Sequence, residues 1–129
     1  MVLLSRITLW LGGLGFLGFG VACLLAPLQV LAAAGVTLSG AVAATEVRAF
    51  YGGLEIGLGL CLLLAALRSQ HRQAGLFLCL AAYGGIGLVR AAGMAIDSVA
   101  TPFLWFALAT ELTLAGLAAC CLLRSNSTE

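Results

Sequence analysis

Lysine is absent from this sequence, and charge of either sign is scarce. The six basic residues are all arginine, five residues are acidic, and charged residues make up 9% of the 129. A soluble domain is nearer a quarter charged. With 63% hydrophobic residues and a mean hydropathy of +1.17, there is too little polar surface to cover a globule in water. That shortage points to an integral membrane protein with the lipid bilayer as its first partner. A formal net charge of +1 leaves no basic face for nucleic acid and no acidic tail.

Proline occurs only at 27 and 102, and histidine only at 71. No HExxH, GxSxG, Walker or CxxCH pattern is present. The expectation is therefore a non-enzymatic protein with no catalytic residue, no metal site and no cofactor. Cys23, Cys61, Cys79, Cys120 and Cys121 lie in apolar runs without CxxC spacing or a histidine partner. They read as small hydrophobes rather than as metal or redox ligands. His71 stands in a polar loop and reads as solvated.

What is abundant is apolar run length. Crossing about 30 Å of hydrocarbon takes about 20 residues. Four segments qualify, at about 7–26, 45–67, 74–96 and 102–123, separated by polar punctuation. The first exceeds the roughly 7–15 residues of a signal-peptide core and is expected to be retained as a span. Backbone groups in lipid must pair within their own segment, so each span should be helical. The expected fold is all-α, a single four-transmembrane-helix domain over 1–129. A short interfacial segment over 28–43 should separate the first two helices, and Thr45 is a candidate N-cap for the second. Arg6, Arg68, Arg72 and Arg124 fall on one side of a four-span chain, which the positive-inside rule assigns to the cytoplasm. Both termini are expected there.

Fifteen of the 17 glycines fall in these spans. Small residues let helices approach where lipid supplies no hydrophobic drive. Gly53 and Gly57 make a GxxxG step, read as tight packing within the chain or as the face of a homo-oligomer. Tyr51-Gly52-Gly53 is echoed by Tyr83-Gly84-Gly85, and Gly52, Gly53, Gly57, Gly59, Gly84, Gly85 and Gly87 are the expected packing positions.

Arg48, Glu55, Arg90 and Glu111 lie inside spans, where each charge costs about 2.5–3.5 kcal/mol without a partner. At the helical rise, Glu55 lies roughly 14 Å, Arg90 roughly 9 Å and Glu111 roughly 12 Å from the outer ends of their spans. Opposite charges on three helices thus share one depth. At 100° per residue Arg48, Tyr51, Gly52, Glu55 and Gly59 share a face, with Gly53 and Gly57 opposite. Tyr83, Gly87, Arg90, Met94 and Asp97 share a face of the third span, and Ala107, Ala115 and Ala118 flank Glu111. Glu46 and Asp97 belong to the outer rim. Two readings follow. Buried ion pairs, Arg90 with Glu111 and Arg48 with Glu55, would fix helix register. Alternatively, Arg48, Tyr51, Glu55, Arg90 and Glu111 would line a pocket that binds a small amphiphilic ligand or handles protons.

The run Glu46-Val-Arg48-Ala-Phe-Tyr51-Gly52-Gly53-Leu, with Arg90 and Glu111 behind it and Pro27 ahead, resembles a family of small bacterial four-helix membrane proteins described as a domain of unknown function. The resemblance spans nearly the whole chain and implies a bacterial inner-membrane location and a fold, not an activity. A looser similarity is to DoxX-like four-helix proteins, which implies a quinone- or thiol-linked accessory role. The leading expectation is a binding component acting on a small or lipid-like ligand, or on a helix of a membrane-complex partner. A small-solute or proton-coupled transporter, necessarily oligomeric, is the main alternative, and the redox accessory role is the other.

Overall fold

The structure is a computed structural model that describes residues 2–126. It is all-α. Helix α1 runs Val2–Leu25, α2 Pro27–Ala33 and α3 Ala41–Val47; a π-helical segment, Arg48–Leu54, leads without a break into α4, Glu55–Leu67. A 3₁₀ turn at Ser69–His71 precedes α5, Arg72–Ile96, and α6 covers Pro102–Asn126. Four helices are long and apolar enough to cross a bilayer: α1, the continuous rod Ala41–Leu67, the rod Ser69–Ile96, and α6. Residues 127–129, the end of the expected polar tail, lie outside the described residues.

Local chemistry explains the breaks. Ala26 precedes Pro27 and takes φ −136°, ψ 61°, outside the helical region as a residue before proline must. Pro27 then opens α2, where its missing N–H costs nothing. The strap 34–40 runs between Gly35 at φ 87° and Gly40 at φ 91°, left-handed values that suit glycine. Thr45 is not an N-cap: the helix starts four residues earlier at Ala41, and the Thr45 hydroxyl donates to Ala41 O at 2.9 Å inside it. Alanines 41, 43 and 44 are strong helix formers, and Gly40 supplies the turn, so the start moves upstream. The cap at the last helix is Thr101, whose Oγ1 accepts from Leu104 N at 3.3 Å, with Pro102 following it.

Helix α1 packs along α4 and the π segment and also meets α5 and α6, while α5 and α6 form the other extended pair. The core between them holds Leu9, Phe16, Leu62, Cys79, Tyr83, Ala118 and Cys121. A second cluster of Cys23, Leu31 and Val47 ties α2 to the end of α1 and to α3. Large apolar side chains also face outward, among them Leu11, Leu60, Val89 and Phe106. A helix that is apolar on both its inward and outward sides is suited to lipid rather than to water.

A close backbone approach joins α1 to the second rod. A Cβ at Gly59 would meet Gly13 O and Leu17 N at 2.8 Å, and one at Gly20 would meet Gly52 O and Ile56 N at 2.9 Å. Gly53, Gly57 and Gly85 were expected to pack as well. They do not: a Cβ at Gly57 or Gly85 would find nothing within 4 Å, and one at Gly53 only its own helix at 3.8 Å. Gly84 faces Ala115 in ordinary contact, and Gly87 lies close against Glu111 and Leu112. The seam therefore uses Gly52 and Gly59, on the side expected to carry the charges.

Candidate functional site

Helices α5 and α6 bring Arg90 and Glu111 together. Arg90 Nε donates to Glu111 Oε2 at 2.8 Å and Oε1 at 3.1 Å, and Nη2 donates to Oε1 at 2.6 Å. This fork grips the carboxylate with two nitrogens, the geometry that makes arginine–carboxylate pairs strong and directional. Glu111 is 7% exposed. Gly87, one turn before Arg90, lets α6 close in, since a Cβ there would stand 3.2 Å from Glu111 Cβ. The pair locks the register of α5 on α6.

Arg48 does not join Glu55. Its Nε donates instead to Leu24 O at 3.3 Å, at the end of α1. Pro27 has no N–H to return to the end of that helix, which leaves room there for a side-chain donor, and a cation there also suits the helix dipole. The π segment explains the missed pairing. Seven residues make about two α-helical turns, which would stack Arg48 over Glu55. In a π-helix the i→i+5 bond takes about one more residue into each turn, so the two side chains part.

Glu55 is thereby left half-buried, with no hydrogen bond or ion pair among the described residues, though it lies within electrostatic reach of Arg90 and Glu111. It faces an open groove of about 580 Å³. Phe16 of α1, Leu38 of the strap, Ala43, Glu46 and Val47 of α3, Phe50, Tyr51 and Leu54 of the π segment, Leu58 of α4 and Ile86 of α5 form its walls. A shallower depression of about 450 Å³ lies beyond Ile86, with Gly85, Val89 and Arg90 around it. Tyr51, half-exposed, meets Phe19 edge-on with ring centroids 6.4 Å apart.

Of the five expected site residues, Arg90 and Glu111 are bonded to each other, Glu55 and Tyr51 line the groove, and Arg48 is turned away to α1. Glu46, expected only as a solvated rim residue, is a groove wall. Tyr83 was placed on the Arg90 face, but its role is in the core: its hydroxyl donates to Gly12 O at 2.7 Å, and its ring stacks on Phe16 at 4.3 Å. The adjacent glycines 52 and 53 within a helix were the available signal for irregular backbone there. Cys23, Cys79 and Cys121 are buried, whereas Cys61 is exposed and Cys120 partly so. Among the described residues no group of three His, Cys, Asp or Glu could hold a metal ion.

A family model described as a domain of unknown function (DUF4345) matches residues 4–122. No curated protein and no solved structure matches the chain.

Proposed function

We propose, from the premise that the chain belongs to the DUF4345 family, that it is a non-enzymatic membrane protein that holds a lipid-like ligand in the groove beside the π segment. The observation that carries this reading is Glu55, an intramembrane carboxylate without an ion pair, opening on a groove with a mostly apolar lining. An ionisable side chain at such a depth marks a working site by default. A volume of about 580 Å³ suits one small amphiphile, since ligand clefts run from about 300 to 1,000 Å³. The π segment supports the reading, because π-bulges recur at functional sites. It coincides with the Glu46–Gly53 run that singled the stretch out in the sequence.

In this reading the ligand's tail lies along Phe50, Leu54 and Leu58, and its polar end meets Tyr51 and Glu55. The Arg90–Glu111 fork holds the scaffold. Both termini lie in the cytoplasm of a bacterial cell, the groove opens in the outer half of the inner membrane, and α2 with the strap rests at the outer interface. Residues 1–129 act as one domain. The test is native mass spectrometry of the protein extracted in a mild neutral detergent. The expected result is one retained small molecule per chain, lost on Ala43→Trp, which fills the groove, with the helical circular-dichroism spectrum unchanged. A wild-type chain that retains nothing, or a variant that retains the same molecule, overturns the proposal.

The open Gly53/Gly57 face favours a second reading, an oligomeric carrier with that face as its interface. Disulfide cross-linking of Gly57→Cys in membranes tests it, and a strictly monomeric chain refutes it.

A further inference from the structure

We infer that the groove selects for positive charge: its occupant is an amphiphile with a net cationic headgroup, a protonated or quaternary amine, and Glu55 is its counter-ion. This rests on the groove being a ligand site, and it adds the sign of the ligand. Among the described residues, the formally charged walls are Glu46 and Glu55 alone. Arg90 is paired with Glu111, and Arg48, which keeps its charge, turns its guanidinium to the carbonyl of Leu24 and is not a wall of the groove. Glu55 lies within reach of the Arg90–Glu111 pair, but that pair carries no net charge. The charge that the walls themselves present is therefore negative.

The walls also offer what an ammonium group uses besides a carboxylate. Phe50 and Tyr51, both exposed, bring aromatic rings to the groove, and the negative face of such rings attracts cations, quaternary ammonium above all. Glu46, exposed, adds a second carboxylate to the wall, where it draws cations in. An anionic headgroup would meet like charge at both carboxylates. A neutral one would draw nothing from the charge of either carboxylate. A zwitterionic phospholipid would find no basic wall residue for its phosphate.

The experiment is native mass spectrometry of the full chain in neutral maltoside micelles, titrated with dodecyl amphiphiles that differ only in headgroup: trimethylammonium, phosphocholine, hydroxyl and sulfate. The trimethylammonium compound should form a saturable adduct of one per chain, on the order of tenfold or more tighter than the other three. Glu55→Gln should weaken that adduct about tenfold, and Glu55→Asp should recover part of the loss. Equal binding of the phosphocholine, hydroxyl or sulfate compound overturns the charge inference while leaving the groove site standing, provided Ala43→Trp abolishes that binding. An unchanged cation affinity in Glu55→Gln also overturns it. Binding that Ala43→Trp does not affect, or no binding of any of the four, overturns the groove site itself.

Discussion

Replacing single glycines by alanine separates the two faces of the second rod. At Gly59 the new methyl carbon would stand 2.8 Å from Gly13 O and from Leu17 N, both backbone atoms of α1. Neither can rotate away, so α4 and α1 must part. Restoring the 3.4 Å of ordinary contact from 2.8 Å requires a separation of about 0.6 Å. A gap of that size, spread along a close-packed seam, forfeits about a quarter or more of each dispersion contact it opens. Overpacking of this kind costs about 1–3 kcal/mol. Gly57, two residues earlier on the same helix, has nothing within 4 Å of its would-be Cβ. Both substitutions gain the same helix propensity, about 1 kcal/mol in favour of alanine, so the difference between the variants isolates the seam. The expectation is that Gly59→Ala is less stable than Gly57→Ala by about 1–3 kcal/mol. Unfolding by sodium dodecyl sulfate in mixed micelles, followed by far-ultraviolet circular dichroism, measures it. Gly20→Ala, whose methyl would meet Gly52 O and Ile56 N at 2.9 Å, should behave like Gly59→Ala. Gly59→Ala unfolding at the same detergent fraction as Gly57→Ala, or a higher one, would refute the packing argument.

The Arg90–Glu111 fork gives a second test. Glu111→Gln leaves Arg90 without its carboxylate partner and should cost about 3–5 kcal/mol, whereas the double variant Arg90→Met with Glu111→Leu should cost much less; a double variant worse than either single one, in the same unfolding assay, would contradict this. Tyr83→Phe removes the bond to Gly12 O and should lower stability by about 0.5–1.5 kcal/mol, seen as a lower thermal midpoint, and a midpoint equal to wild type would mean the hydroxyl contributes nothing. The proposed orientation can be read with a membrane-impermeant maleimide on right-side-out vesicles. Val99→Cys should label and Gln70→Cys should not, and the reverse pattern would invert the topology.

Much of the architecture follows from composition and order alone. With so few charges and four apolar runs, the chain has no soluble option, and in lipid each run must close its own backbone hydrogen bonds, which makes it helical. Pro27 and Pro102 mark two helix starts because proline fits a first turn and not an interior. The Arg90–Glu111 pairing was legible too, because hairpin-connected helices place residues of equal depth side by side. Tertiary structure decided the rest, and it did so at Arg48–Leu54. Face assignments at 100° per residue assume i→i+4 bonding throughout. Once seven residues adopt i→i+5 bonding the register turns within that segment, and Arg48 leaves Glu55 for Leu24 O. The division of Gly52 and Gly59 from Gly53 and Gly57 follows the 100° spacing, and the tertiary structure decides that the first pair meets α1. Adjacent Gly52 and Gly53 mark where the bonding can change, but whether it does depends on what packs against the helix, here the backbone of α1. The partnerless Glu55 beside its groove is the consequence of that choice.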